Sequence, residues 1–125
     1  MLTLYFSPGA CSTASHIGIE ECGATYTEHP VLIAKGEQKT PEYAKINPRG
    51  KVPALAVDGR IITENTAILT YLARQHPAAK LLPTDPVDEA NCIATMAWFS
   101  NVVHPSYQRY MRAERFAEEI GRAHV

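Results

Sequence analysis

The chain has 125 residues, room for one ordinary domain or for a small domain with part of a neighbour. Its 46% hydrophobic and 20% charged residues supply a core and exclude a disordered chain. A net charge of −1, no basic run interleaved with aromatics and no apolar run near the roughly 20 residues of a membrane span leave nucleic acid and membrane off the expected partners.

The chain opens on Met1-Leu2-Thr3-Leu4-Tyr5-Phe6 without a basic leader, so a cytoplasmic protein is expected. Leu2, Leu4 and Phe6 alternate with Thr3 and Tyr5, the period of a half-buried strand, and Ser7-Pro8-Gly9 stops it. From Cys11 to Cys22 the spacing of Ala14, Ile17, Ile19 and Cys22 turns helical, with Gly23 where a helix C-terminus wants a left-handed residue. A helix starting at Cys11 is therefore expected. Ala24 to Val31 reads as a weaker strand broken by Pro30.

After a polar stretch from Lys35 to Lys39, Thr40-Pro41-Glu42 offers a side-chain cap with proline at the first helical position, starting a short helix that ends near Asn47-Pro48. Val52 to Val57 and Arg60 to Thr63 flank Asp58-Gly59, a two-residue hairpin signal. Pro53 cannot donate to a sheet ladder and belongs at a strand start, on an edge or in a special peptide geometry. Thr63-Glu64-Asn65-Thr66 opens a helix striped by Ala67, Ile68, Tyr71 and Leu72 and ending before His76-Pro77. The expected order is β-α-β-α-β-β-α, an α/β domain over residues 1–81 with a mixed four-stranded sheet.

Residues 82–86 are a proline-punctuated linker, and beyond them the strands cease. Residues 87–125 form a helical segment in which Val87 to about Phe116 reads as one long helix or two, with Asp85 as cap, Pro86 at the helix start and Pro105 as a kink or break. This is expected to be the incomplete first part of an all-α domain. Residues 119–125, Ile120-Gly121-Arg122 among them, resemble the translation of a sequencing adapter and are expected to carry no function.

Cys11, Cys22 and Cys92 are an odd set without CxxC spacing, which suits reduced thiols. The five histidines form no ligand pair at helical or finger spacing, so no metal is expected. Cys11 follows a strand and loop at an expected helix N-terminus, where the dipole and free N–H groups favour a thiolate of lowered pKa. Ser7 and Ser12 flank it as potential donors to the same sulfur. From position alone a small buried apolar residue is an equal reading. Cys22 and Cys92 fall on helical faces and read as core.

Three segments, Tyr5-Phe6-Ser7-Pro8-Gly9-Ala10-Cys11-Ser12, Ile46-Asn47-Pro48-Arg49-Gly50-Lys51-Val52-Pro53-Ala54-Leu55 and Thr63-Glu64-Asn65-Thr66-Ala67-Ile68, resemble the signatures of bacterial glutathione S-transferases, the beta class in particular. The resemblance runs from Met1 to about Leu82, and more loosely around His104-Pro105-Ser106-Tyr107. It implies a thioredoxin-like domain, glutathione as substrate, a hydrophobic electrophile as co-substrate and, for full-length relatives, a homodimer. It implies that Cys11 meets the glutathione sulfur and that a cis Val52-Pro53 peptide faces the cysteinyl part. Glu64 then pairs with the γ-glutamyl ammonium, while Asn65 and the following helix amides hold its carboxylate. Lys35, with Lys51, would neutralise carboxylates, and His104 would approach the co-substrate, although Pro105 stands where a beta-class relative carries lysine. Conjugation is the leading activity. A monothiol exchange through Cys11, or a glutathione-binding fragment without activity, are the alternatives.

Overall fold

In a computed structural model residues 1–116 are described, and the chain divides after Thr84 into two compact units. The division falls inside the proline-punctuated stretch read as a linker. The adapter-like tail, 119–125, lies outside the described residues.

In the first unit β1 (Leu2–Phe6), α1 (Thr13–Glu21), β2 (Tyr26–Pro30), α2 (Pro41–Ala44), β3 (Ala54–Val57), β4 (Arg60–Thr63) and α3 (Asn65–Gln75) follow in the expected order. The strands form one sheet in the order β2-β1-β3-β4. β1 and β2 are parallel, while β1 with β3 and β3 with β4 are antiparallel. This is the mixed sheet of a thioredoxin-like fold. Asp58 and Gly59, at φ 49° and 81°, make the tight turn between β3 and β4, the left-handed pair that matches strand twist.

Strand alternation gives the sheet two apolar faces. Leu4 and Leu55 point to one side, where Ile19, Ile68 and Leu72 of α1 and α3 close over them, all five fully buried. Tyr5 points to the other, against Tyr43 of α2 with Val31 and Val52. Pro30 is tolerated because β2 is an edge strand, and the ladder is continued by Val31 N–H donating to Phe6 O at 2.7 Å.

Two local expectations need correction. Helix α1 begins at Thr13 rather than Cys11, because Ala10 and Cys11 carbonyls are spent on turn bonds from Thr13 and Ala14 N–H. Its buried face carries Ser15, Gly18 and Ile19, whereas Ile17 is 57% exposed. Gly18 lets α1 approach α3: a Cβ there would stand 2.4 Å from Leu69 Cδ2. The polar stretch before α2 folds into two 3₁₀ turns, Ile33–Lys35 and Glu37–Lys39.

The second unit is helical over its described residues. Asp85 caps α4 (Pro86–Trp98) by accepting from Val87 and Asp88 N–H, both at 3.1 Å. A π-helical turn, Phe99–Val103, joins α4 to α5 (His104–Met111). Pro105 explains it: with no N–H to close an ordinary turn, the backbone widens ahead of the proline instead of breaking. No helix among the described residues is long and apolar enough to cross a membrane.

Candidate functional site

The loop from β1 to α1 is tied internally before it offers anything to a ligand. Ser7 N–H donates to Ser12 Oγ at 3.0 Å, and Ser12 Oγ–H donates back to Ser7 O at 3.1 Å, both residues being buried. Ser7 Oγ accepts from Ile33 N–H at 3.5 Å. The two serines therefore staple the loop rather than serve the Cys11 sulfur, the role expected from their place in sequence.

Cys11 projects from this staple. The residue is exposed overall, yet its sulfur packs against the Val52 carbonyl, to which the thiol donates at 3.6 Å. Its own carbonyl accepts from Asn65 Nδ2 at 2.9 Å, and Asn65 Oδ1 accepts from Ser15 Oγ at 2.6 Å. Asn65 thus clamps the Cys11 turn to the start of α3 and to α1. What it retains for a ligand is its backbone N–H, one of the first-turn amides that no helix can satisfy internally.

The lowered thiol pKa expected at Cys11 is not what the ligand-free site produces. Partial burial pushes the thiol up, and the Glu64 charge adds to this. The Cys11 backbone N–H, the Lys51 ammonium and the Asn65 amide pull the other way without cancelling it. The helix dipole is also less well placed than expected, since α1 starts two residues later.

Val52 is brought to Cys11 by a loop built on buried polar contacts. Tyr43 Oη donates to Lys51 O at 2.6 Å, Asn47 Nδ2 donates to the same oxygen at 2.9 Å, and Arg49 N–H donates to Asn47 Oδ1 at 3.1 Å. Burial pushes the Tyr43 phenol up to about 12, so it remains a donor throughout the physiological range. Gly50 stands at φ 63° where a Cβ would meet Gln38 O at 2.9 Å, so only glycine passes without displacement. The Val52-Pro53 peptide is cis, and Val52 is buried in the second core.

Glu64 precedes α3 at φ 77°, ψ 131°, a conformation rare outside glycine, and makes no side-chain cap bond. Glu64 thus stands at the helix start, as the sequence suggests, with its carboxylate not used as a cap. Its carboxylate lies 3.8 Å from Arg49 Nη1. Arg49 was not singled out from sequence, nor was the effect of Lys51 on Cys11; both depend on the loop bringing positions near 50 beside Cys11 and Glu64.

Lys35 ends the 3₁₀ turn that begins beside Ser7, and among the described residues it makes no hydrogen bond or ion pair to the other site residues. His104 opens α5 in the second unit.

A mixed sheet with a cysteine after β1, a cis-proline ahead of β3 and a glutamate of positive φ ahead of α3 places the first unit in the thioredoxin-like class. The family model for the glutathione S-transferase N-terminal domain matches residues 9–75. The chain belongs to that family. Glutathione S-transferase GstA of Escherichia coli O157:H7 is 39% identical over 103 residues, covering 81% of this chain and 50% of the relative. A solved glutathione transferase homologue from Sulfitobacter with bound glutathione superposes with a TM-score of 0.90 at 41% identity, covering 99% of this chain and 60% of that one. A beta-class glutathione S-transferase of Sphingomonas chungbukensis gives a TM-score of 0.77 at 37% identity, with 86% and 55% covered. The chain spans about half the length of the curated relatives it matches.

Proposed function

We propose that the protein to which this chain belongs is a glutathione transferase that joins the thiol of glutathione to hydrophobic electrophiles. The observation that carries this reading is the gathering of Cys11, Val52, Glu64 and Asn65, with Asn65 reaching Cys11 across 54 positions of sequence. In the proposal, Glu64 takes the γ-glutamyl ammonium and the first amides of α3 take its carboxylate. The Val52 backbone pairs with the cysteinyl unit, and Lys35 and Lys51 lie toward the remaining negative charge. The glutathione sulfur then sits near Cys11, loses its proton to solvent, and attacks an electrophilic carbon; a C–S bond forms as the leaving group departs with its electron pair. His104 is assigned to the co-substrate side, in a homodimer.

The test is formation of a glutathione thioether from a nitroaryl halide, followed by mass spectrometry, using the chain extended to the length of its relatives. Tight glutathione binding without any thioether would reject conjugation.

The overall exposure of Cys11 favours a second reading, in which it exchanges with glutathione disulfide. The Cys11 thiolate attacks one sulfur, a protein–glutathione disulfide forms, and one glutathione leaves as thiolate. Cys11→Ser separates the two: it abolishes exchange outright and leaves a measurable rate of conjugation if the glutathione sulfur is the nucleophile.

A further inference from the structure

Away from Cys11, one cluster on the rim of the sheet is used by nothing described so far. His16 and Glu20 stand one helical turn apart on α1 and so share a face. Glu28 lies opposite Leu4 in the parallel register of β2 on β1, and paired residues share a face of the sheet. Since Leu4 is buried beneath α1, Glu28 rises on the α1 side as well. We propose that His16, Glu20 and Glu28 form a binding site for a zinc ion at this edge.

Three features support it. The ligand atoms of the three side chains all lie within 4.8 Å of one another, and His16 Nε2 is 3.1 Å from Glu28 Oε1. A tetrahedral ion bound at about 2.0–2.2 Å needs its ligands about 3.3–3.6 Å apart, so small side-chain rotations suffice. The imidazole is already oriented, with its ring packed on Phe6 at 4.5 Å between centroids.

A fourth side chain already links the three. The Tyr26 hydroxyl donates to Glu20 Oε1 and lies 3.0 Å from His16 Nε2 and 3.3 Å from Glu28 Oε1. A divalent cation would draw on both carboxylates and the imidazole, with Tyr26 releasing Glu20 as the carboxylate turns to the ion. An imidazole beside two carboxylates suits zinc, whereas magnesium and calcium prefer shells of oxygen alone. Glu28 is 56% exposed, which leaves an entry path. The ion would fasten α1 to the edge strand and take no part in the thiol chemistry.

Titration of the metal-free full chain with zinc by calorimetry tests the site. One equivalent is expected to bind and to raise Tm, with magnesium in excess failing to compete. His16→Ala and Glu28→Gln should each weaken binding at least tenfold, while His29→Ala, one residue along but on the opposite face, should not. Glu28→Gln keeps the size and polarity of the strand residue, so it remains informative if His16→Ala folds poorly. Absence of saturable zinc binding, wild-type affinity in Glu28→Gln, or a thiolate charge-transfer band in the cobalt-substituted chain would overturn the assignment.

Discussion

At the residue scale, Cys11 and Glu64 are coupled through charge. Burial and the Glu64 carboxylate raise the Cys11 thiol while Lys51 lowers it, so alkylation of ligand-free Cys11 should have its midpoint above that of an unstructured cysteine. Glu64→Gln should move that midpoint down and Lys51→Met should move it up; rates of iodoacetamide labelling against pH check both signs. After treatment with oxidised glutathione, mass mapping is expected to find the adduct mainly on Cys11, which is exposed, and not on Cys22 or Cys92, which are only partly so. Glu64 carries a second prediction. Removing its carboxylate should weaken glutathione by about 1.5–3 kcal/mol, roughly ten- to hundredfold in Kd, whereas Glu42→Ala should not. Because Glu64 holds φ 77°, Glu64→Gly should bind as poorly as Glu64→Ala yet unfold at higher denaturant, by about 1 kcal/mol. Equal stability of the two variants in urea would show that the backbone there is not strained.

At the scale of elements, what holds the site in place is polar and local. Ser12→Ala would leave the buried Ser7 N–H without its acceptor, an expected cost of about 1–3 kcal/mol by urea unfolding, and would loosen the Cys11 turn. In the second unit Asp85→Ala removes a cap that accepts two backbone N–H bonds and should cost α4 about 1 kcal/mol, read as lost helicity by circular dichroism. Much of this organisation is legible from sequence. The hairpin at Asp58-Gly59 and the Thr40-Pro41 and Asp85-Pro86 helix starts depend on neighbours within a few positions, where local chemistry decides. The start of α1 and the exposure of Ile17 are less legible, because competing turn bonds and the packing of α1 on α3 decide them.

For the whole molecule, the second unit exposes Trp98, Phe99, Val102, Tyr107 and Met111. So much bare apolar surface on one pair of helices favours association. The 125-residue chain is expected to elute from gel filtration above its 13.8 kDa monomer mass, and Trp98→Ser with Phe99→Ser should return it toward that mass. A wild-type monomer at micromolar concentration would refute this. Glutathione binding is expected to survive in this chain even where conjugation is weak, since Cys11, Val52, Glu64 and Asn65 all lie in the first unit.

The alternation of Leu2, Leu4 and Phe6, the helical stripes and the turn residues determine from sequence alone an α/β domain followed by helices, and the three signature segments determine its family. Those signals are local or carried by whole segments. Tertiary structure alone decides that Asn65 clamps the Cys11 turn, that Arg49 faces Glu64, that the Cys11 thiol is raised rather than lowered, and that His16, Glu20 and Glu28 meet. Each of these joins residues on different elements. Which side chains converge, and how much water they keep, depends on sheet order and register, which no spacing along the chain encodes.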